Sequence, residues 1–439
     1  MPDDLISDAK EIVSNAISGV DPYNCIQKSV RKDGNFLYVG EKQFDLSSYE
    51  NIYLIAFGKA SVAMSRALEE ILGDKLSDGC AVTKYAFVGP LKTVKVMEAG
   101  HPIPDENGVI AAKHISTFLR KTGPKDLVFF LISGGGSALM TLPRKNISLS
   151  DIVHLTDKLM QVGATIEEIN AIRKHLSAVK GGGLAKMAYP SESISLILSD
   201  VVGDPLDVIA SGPTVPDSST FDDFQEIVTR YNLNLSSAVQ GLLEDGLEGV
   251  VEDTPNHEDP IFQRCYHYLV GNNSLSLQEA GKRANELGYN TLLLTSSLTG
   301  EAREIAKVFA SIAREERKNS EPLPLPACIL AGGETTVLIR GKGQGGRCQE
   351  MALSFAIEAQ GLEDILFLPA GTDGNDGPTD AAGAFADGYT IEKGRDLHID
   401  VREMLQQNNS YEYFRELGDL LITGPTGTNV MDVYILLVK

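Results

Sequence analysis

The sequence DLVFFLI at residues 126–132 runs directly into SGGGS at residues 133–137. A short run that is apolar almost throughout is typical of a strand covered on both faces, as in a parallel sheet. The three glycines that follow indicate a turn at the carboxyl end of that strand. Short β-branched or aromatic runs alternate with helical periodicity on both sides of this stretch, which predicts an α/β fold with parallel strands.

The same rhythm extends along most of the chain. Further strands are predicted at residues 51–57, 93–98, 193–198, 267–270, 290–295, 327–331, 335–340, 365–369 and 433–438. Helices are predicted at about residues 60–72, 106–120, 166–181 and 348–360. Asp105 is placed to cap the second of these helices, and Thr165 with Glu168 forms a capping box for the third.

Two domains and a mixed second sheet are predicted. Residues 244–260, EDGLEGVVEDTPNHEDP, contain seven acidic residues and no lysine or arginine, which is typical of a linker. We therefore predict an N-terminal domain over residues 1–252 and a C-terminal domain over residues 253–439. In the latter, strands 327–331 and 335–340 are separated by three residues, too few for a parallel crossover, so a mixed sheet is expected.

Composition and charge limit the classes of function. The 439 residues carry 39 Lys and Arg against 60 Asp and Glu, a formal net charge of −21, which disfavours nucleic acid and anionic membrane surfaces as partners. The apolar runs are far shorter than the roughly 20 residues of a membrane span, and acids stand where a signal peptide carries bases. Five scattered cysteines without a C-x-x-C pair disfavour disulfides and thiolate zinc sites. We expect a soluble cytoplasmic enzyme, and a homodimer only because dimers are the commonest oligomers.

The first candidate site lies where strand 51–57 meets its helix. Lys59 stands at this helix start, where it can meet an anion. Gly58, Ala60 and Ala63 around it form a degenerate dinucleotide fingerprint, but such small residues also serve close packing of a helix on a strand. Anion binding, cofactor binding and packing therefore all stay open at this point.

The second candidate site is the glycine turn that follows strand 126–132, namely Ser133, Gly134, Gly135, Gly136 and Ser137. Three glycines allow backbone N–H groups to converge on one point, and a hydroxyl at each end adds a donor. The turn is therefore predicted to bind an anion. A flexible turn is the alternative.

A positive cluster follows on the third predicted helix. Arg173 and Lys180 share one face with Asn170 and Ser177 at spacings of three, four and three residues. In so acidic a chain, these cations suit a small carboxylate substrate. A solvated basic face is the alternative.

Aspartates follow strands in both halves of the chain. Asp200 comes after strand 193–198, and Asp373 lies in GTDGNDGPTD at residues 371–380, after strand 365–369. An acid at the carboxyl end of a strand is a usual position for a Mg²⁺ ligand or a general base, although aspartate also forms turns. The segment 371–380 fails as an EF-hand and is predicted to be a metal–phosphate site.

The loop GKGQGGRC at residues 341–348 carries a further candidate site. Arg347 and a cysteine stand where a Walker A loop has Lys and Ser/Thr, so this is not a Walker A loop. We predict that Gly345, Gly346 and Arg347 bind phosphate at a helix start, with Glu334 as a further nucleotide- or substrate-binding candidate. Sites of phosphoryl transfer typically combine glycine loops, cations at helix starts and aspartates at strand ends, and this sequence contains all three.

Ordered blocks along nearly the whole chain resemble the class II glycerate kinases, also called the MOFRL family. The blocks are FGKAS at 57–61, GHPIPD at 100–105, ISGGGSAL at 132–139, RKHLSAVKGGGLA at 173–185, SDVVGDPLDVIASGPT at 199–214, GGETTV at 332–337, GGRCQEMAL at 345–353, AGTDGNDGPTDAAGA at 370–384 and GPTGTNVMD at 424–432. The resemblance implies a Rossmann-like, doubly wound N-terminal domain, a MOFRL-type C-terminal domain and an active site in the cleft between them. It also implies ATP- and Mg²⁺-dependent phosphorylation of D-glycerate, expected at the 2-hydroxyl.

The resemblance implies roles for the candidate residues. Lys59 and Arg347 would neutralise the transferring phosphoryl group, and Asp200 or Asp373 would bind Mg²⁺ or accept the hydroxyl proton. The turn at residues 133–137 would take a phosphate or a carboxylate.

Arg173 and Lys180 could hold the glycerate carboxylate.

Two rival functions remain open from the sequence. One is an NAD(P)H-dependent hydroxypyruvate reductase, favoured by the fingerprint at residues 58–63 and by names given to related proteins. The other is a non-catalytic sensor of a nucleotide or a sugar acid, which would need neither a Lys/Arg pair nor acids poised for Mg²⁺.

Overall fold

The computed structural model describes residues 3–439, and this part of the chain divides into two compact units. The N-terminal unit contains residues 22–199 and 204–270. The C-terminal unit contains residues 271–439, residues 3–21 and residues 200–203. These units differ from the domains predicted from the sequence, because residues 253–270 belong to the N-terminal unit and residues 3–21 and 200–203 to the C-terminal unit. The boundary at 252/253 stays a prediction.

The helices and strands of the described residues alternate as the sequence suggested. The helices are α1 (Asp3–Gly19), α2 (Pro22–Ser29), α3 (Ser61–Leu72), α4 (Glu106–Leu119), α5 (Gly136–Leu139), α6 (Leu149–Gln161), α7 (Ile166–Leu176), α8 (Gly183–Ala188), α9 (Phe221–Arg230), α10 (Ser237–Leu247), α11 (Asn273–Glu286), α12 (Ala302–Asn319), α13 (Arg347–Glu358), α14 (Thr390–Asp396), α15 (Val401–Gln406) and α16 (Ser410–Leu417). The strands are β1 (Val30–Asp33), β2 (Phe36–Val39), β3 (Lys42–Asp45), β4 (Asn51–Phe57), β5 (Asp78–Lys84), β6 (Val94–Ala99), β7 (Asp126–Ile132), β8 (Glu192–Leu198), β9 (Cys265–Gly271), β10 (Asn290–Leu298), β11 (Ala327–Gly333), β12 (Ile365–Gly371), β13 (Gly383–Ala384), β14 (Leu420–Leu421) and β15 (Asp432–Val438).

The large sheet of the N-terminal unit has the strand order β6-β5-β4-β7-β8-β9. The first five of these strands pair in parallel. From β4 the chain adds β5 and β6 on one side of the sheet and then β7 and β8 on the other side, which is the strand order of a doubly wound Rossmann fold. Every residue of β7 is buried, as its apolar sequence predicted. The predicted parallel α/β fold is therefore confirmed for this unit. A separate three-stranded antiparallel sheet, β1-β2-β3, was not predicted.

The sheet of the C-terminal unit has the order β10-β11-β15-β12-β13-β14 and is mixed, as predicted. The reason differs from the one expected, because residues 335–340 are not a strand. β11 pairs in parallel with β10 and antiparallel with β15, so neither of its edges is left for those residues. Thr336 forms an isolated bridge with Glu301, and Leu338 and Ile339 are exposed.

Two further expectations change in the N-terminal unit. The helix that begins at the Thr165/Glu168 capping box ends at Leu176, because Ser177 turns to an extended conformation. The acidic stretch 244–260 is packed against this unit and is not a free linker. Within it, Asp253 Oδ1 accepts a hydrogen bond from the N–H of Phe221 at 2.8 Å and lies 3.2 Å from His175 Nε2.

Helix α1 completes the core of the C-terminal unit, although it comes first in the chain. Its Leu5 and Ile12 are fully buried in one cluster with Leu277, Leu330 and Leu366, which belong to α11, β11 and β12. In the described part of the chain, no helix has both the length and the apolarity that crossing a bilayer requires.

We predict that Ile12→Ala lowers the free energy of unfolding by about 2–5 kcal/mol, because the truncated side chain leaves a cavity between α1 and the sheet. Urea denaturation at equilibrium measures the change. Ile339→Ala is the matched control, since Ile339 is 79% exposed, and its effect should stay within about 0.5 kcal/mol. Equal effects of the two substitutions would show that α1 does not contribute to the core in solution.

Candidate active site

The strand order of the N-terminal unit reverses between β4 and β7, and in doubly wound folds ligands bind at this position. The pairing of Phe57 with Ile132 brings the loops that follow both strands together. The N–H of Lys59 donates to the carbonyl oxygen of Gly134 at 2.9 Å, and the N–H of Ala60 donates to Ser133 Oγ at 3.1 Å. The first two sites predicted from the sequence are therefore one site.

Glycine is required where these loops touch. Gly58 has a φ of +123°, and a Cβ there would clash with the hydroxyl and carbonyl oxygens of Ser133. A Cβ on Gly135 would clash with the imidazole of His101 and would lie 3.4 Å from Lys59 Cγ. Lys59, Gly135 and His101 are thus immediate neighbours. Within the described residues, the N–H groups of Gly134 and Gly135 donate no hydrogen bond, which leaves two backbone donors at the turn.

A cavity of about 490 Å³ opens beside this turn. It is lined by His101, Pro102, Ile103, Pro104, Gly135, Ser137, Ala138, Thr141, Ile152, Val153, Thr156, Asp157, Met160, Arg173 and Lys180. Helix α6 and the loop at residues 101–104 supply the largest parts of its wall, and Arg173 and Lys180 supply its positive charge.

Lys180 is only 3% exposed, so the positive cluster is not a solvated face. Its Nζ donates to the carbonyl oxygens of Ser137 at 2.6 Å and Met140 at 3.2 Å. Burial, and next the positive charge of Arg173, lower the pKa of Lys180 to about 7. Arg173 Nε donates to Thr156 Oγ1 at 3.3 Å, and burial lowers the pKa of Arg173 too. Among the described residues, neither cation forms an ion pair, but Asp157 also lines the cavity and its charge opposes the fall in the pKa of Arg173.

His101 is a member of this site that the sequence reasoning missed. It follows β6 at the same edge of the sheet, inside the block GHPIPD. Burial lowers the pKa of His101 to about 4, and the charges of Lys59 and Lys84 act in the same direction. The imidazole is therefore neutral at pH 7. Its place at the end of a strand was the signal that could have identified it.

The candidates of the C-terminal half also meet in one cavity, of about 760 Å³. Its lining includes all of the predicted residues of this half, namely Glu334, Gly345, Gly346, Arg347 and Asp373. Glu350, Asp376 and Asp432 line it as well, so this cavity is acidic and Arg347 is the one cation among the described residues that line it.

Arg347 is held by two carboxylates. Its Nε and Nη2 donate to Asp432 at 2.6 and 3.0 Å, and its Nη1 donates to Glu334 Oε1 at 2.6 Å. Burial works against the charge of Arg347, but the hydrogen bonds and the charge of Asp432 outweigh it and raise the pKa of Arg347. Asp432 is 1% exposed, so this ion pair is part of the structure of the cavity wall.

The helix start that the sequence assigned to phosphate holds a protein carboxylate instead. Asp376 accepts hydrogen bonds from the N–H groups of Cys348 at 3.1 Å and Gln349 at 2.8 Å, in the first turn of α13. Gly346 is required here because a Cβ would clash with the Asp376 carboxylate. Burial raises the pKa of Asp376 to about 7. Two of the donors of this helix start are therefore used by a carboxylate of the protein, and phosphate binding by Gly345, Gly346 and Arg347 stays a prediction.

The two predicted metal ligands differ in their surroundings. Asp373 is half-buried in the acidic cavity, where its Oδ1 accepts a hydrogen bond from the N–H of Asn375 at 3.0 Å. Asp200 is half-buried in the turn after β8 and lines neither of the two cavities described above. Within residues 3–439 no group of three His, Cys, Asp or Glu is arranged as a metal site. The donor set fits Mg²⁺ only in its usual enzymatic form, with one or two carboxylates and the phosphates of a substrate.

Comparisons with known proteins show the family of the chain. Residues 8–244 match the family described as "Domain of unknown function (DUF4147)", and residues 327–432 match the MOFRL family. The chain is 44% identical over 430 residues to a protein named glycerate 2-kinase from Pyrococcus horikoshii, covering 97% of this chain and 96% of that protein. It is 40% identical over 387 residues to a putative hydroxypyruvate reductase from Agrobacterium vitis, covering 88% and 86%.

The fold is also that of a solved structure. A crystal structure of glycerate kinase from Thermotoga maritima superimposes with a TM-score of 0.90 at 40% identity, over 100% of both chains. The sequence blocks, the two sheets and the relatives agree along the whole length. The chain belongs to the class II glycerate kinases, the family that carries the MOFRL domain.

Proposed function

We propose that this protein transfers the γ-phosphoryl group of ATP to the 2-hydroxyl of D-glycerate, giving 2-phosphoglycerate and ADP. The observation that carries the proposal is the cavity at the reversal of strand order, where Arg173 and Lys180 donate hydrogen bonds to uncharged oxygens and form no ion pair among the described residues. Family membership supports the same reaction, because the similar Pyrococcus protein is named glycerate 2-kinase.

Arg173 and Lys180 suit the carboxylate of glycerate. A charge-assisted hydrogen bond to a carboxylate is about twice as strong as a neutral one, and burial strengthens it further. Each cation currently contacts only uncharged oxygens, so bringing in a carboxylate breaks no ion pair. The proposal therefore places the substrate carboxylate at this end of the cavity.

Lys59 and the N–H groups of Gly134 and Gly135 suit the transferring phosphoryl group. These donors lie at the turn beside the same cavity, and the two N–H groups are unused within the described residues. Phosphoryl transfer needs positioned positive charge on the equatorial oxygens more than it needs covalent chemistry. His101, which is neutral at pH 7, adds no competing charge.

The acidic cavity of the C-terminal unit suits Mg²⁺. Asp373 would be a carboxylate ligand, and the bound ion would neutralise negative charge on the phosphates. Arg347, fixed by Asp432 and Glu334, would present its remaining edge to the same phosphates. Asp200 stays a second candidate ligand or proton acceptor.

We also propose that ATP is the phosphoryl donor and that Mg²⁺ is the cation. A cytoplasmic location and a homodimer are further proposals.

The geometry does not favour the rival reductase. The N–H of Gly58 donates to the carbonyl oxygen of Val82 at 3.1 Å, and the N–H groups of Lys59 and Ala60 donate to the glycine turn. Three of the N–H groups at the residues that resembled a dinucleotide fingerprint are therefore already used within the protein. Close packing of β4 and α3 against the turn is the function of these small residues.

We expect the purified protein to release ADP when D-glycerate, ATP and Mg²⁺ are present together, and to release none when D-glycerate is omitted. A coupled assay for ADP measures this, and the position of the phosphate is read from the ³¹P and ¹H NMR spectra of the product. In parallel, hydroxypyruvate and NADH are supplied without ATP. Oxidation of NADH would instead support the reductase, and activity in neither assay would support the sensor.

We expect Lys59→Ala to lower kcat by at least about tenfold without loss of folding, because Lys59 is half-buried and no ion pair depends on it in the described structure. Arg347→Ala should also lower kcat by at least about tenfold, but it leaves the buried Asp432 carboxylate unpaired and should destabilise the fold by about 3–5 kcal/mol. The double variant Arg347→Ala/Asp432→Asn removes that charge and keeps the kinetic test valid. Near-normal kcat in a folded variant would remove the substituted residue from the mechanism.

We expect the KM for D-glycerate to rise as the pH increases above about 7. Lys180 has a pKa of about 7, so its ammonium, which binds the carboxylate, is lost above that pH. Initial rates between pH 6 and 9 measure KM, with kcat recorded separately. Lys180→Gln should have a high KM with little dependence on pH. An unchanged pH profile in that variant would show that another group titrates.

A further inference from the structure

Three successive residues beside the N-terminal cavity have left-handed backbones. Ala210, Ser211 and Gly212 have φ values of +51°, +63° and +59°, and two of them are not glycine. Such conformations cost about 1–3 kcal/mol each and persist only where the surroundings enforce them, most often at functional sites. Ser211 is fully buried, and the strained backbone holds its hydroxyl against the hydroxyl of the cavity-lining Ser137.

The hydrogen bonds of Ser211 determine the direction of its proton. Ser211 Oγ donates to Asn170 Oδ1 at 3.1 Å, and an amide oxygen can only accept. Ser211 Oγ also lies 2.8 Å from Ser137 Oγ. Because the single proton of Ser211 is used on Asn170, Ser137 must be the donor in the second hydrogen bond. Its own proton is therefore directed away from the cavity.

This direction changes what Ser137 can bind. A hydroxyl whose proton is already used offers only lone pairs to a ligand. Ser137 therefore accepts a hydrogen bond in the cavity, rather than adding a donor for an anion as its sequence position suggested. The anionic groups of a ligand are left to Arg173, Lys180 and the N–H groups of the glycine turn.

We propose that Ser137 Oγ accepts a hydrogen bond from a hydroxyl group of the acceptor substrate, and that Ser211 and Asn170 are positioning residues that fix this polarity. The inference rests on the proposed function, since it assigns the hydroxyl-recognition point of the same cavity. It makes the site selective for a hydroxy acid, because a carbonyl at the same position cannot donate. A site built to pair with a hydroxyl rejects an analogue that lacks it, since the buried acceptor is left unpaired.

Substitutions at Asn170 and Ser211 test the polarity. Asn170→Asp keeps an acceptor for the Ser211 proton, whereas Asn170→Leu removes it, and Ser211→Gly removes the hydroxyl while suiting the left-handed backbone. We expect Ser211→Gly and Asn170→Leu to raise the KM for D-glycerate by about tenfold, with the KM for ATP unchanged. Asn170→Asp should stay closer to the wild type than Asn170→Leu. Ser65→Ala, at a buried serine without a hydrogen-bond partner in the described structure, is the matched control and should change neither KM.

Ligands that lack one hydroxyl test the contact itself. The inhibition constants of 3-hydroxypropionate, which lacks the 2-hydroxyl, and D-lactate, which lacks the 3-hydroxyl, are measured with the wild type and with Ser137→Ala. We expect Ser137→Ala to weaken D-glycerate and one analogue by about tenfold, and to leave unchanged the analogue that lacks the recognised hydroxyl.

Two results would overturn the inference. One is an equal effect of Ser137→Ala on D-glycerate and both analogues. The other is an equal KM in Asn170→Asp and Asn170→Leu. Thermal melts of every variant show that each is folded before its kinetics are compared. Failure of the wild type to phosphorylate D-glycerate would overturn the proposed function instead, so the two failures are distinguishable.

Discussion

The parallel pairing of β4 with β7 is the constraint on which the N-terminal site depends. It brings the Gly58–Lys59 corner against Ser133 so closely that only glycine fits at residue 58. The hydrogen bonds of Lys59 and Ala60 to the glycine turn then fix that turn, while its own two N–H groups stay unused within the described residues. Backbone donors and a lysine are thus positioned by the pairing of the two strands.

The two cavities differ in their charged residues, since two cations and Asp157 line the N-terminal one whereas carboxylates predominate in the C-terminal one. In a chain with a formal net charge of −21, the N-terminal cavity holds Arg173 and Lys180 with uncharged oxygens as their hydrogen-bond partners. The C-terminal cavity holds Glu334, Asp373 and Asp432 around a single arginine. A basic site selects the carboxylate and phosphoryl groups of substrates, whereas an acidic one needs a divalent cation before phosphates can approach.

Elements whose signal lies in the local backbone pattern were predicted correctly from the sequence. A strand whose formation depends on pairing with a segment far away in the chain was not. β4 and β7 have the predicted bounds, and the Thr165/Glu168 capping box forms as expected. The strand predicted at 335–340 is absent because β15, from the end of the chain, already pairs with β11. At the helix start predicted to bind phosphate, Asp376, about 30 residues away in the chain, accepts hydrogen bonds from two of the N–H groups, and phosphate binding there stays a prediction.

The sequence by itself determined the α/β fold, the parallel first sheet and the resemblance to the glycerate kinases, because periodicity, capping and ordered blocks are local properties of the chain. Only the tertiary structure decided that Lys180 is buried, that Arg347 is paired with Asp432, and that the hydroxyls of Ser137 and Ser211 share a hydrogen bond. Burial and hydrogen-bond direction are properties of a residue's neighbours in space. No pattern within a single segment contains them.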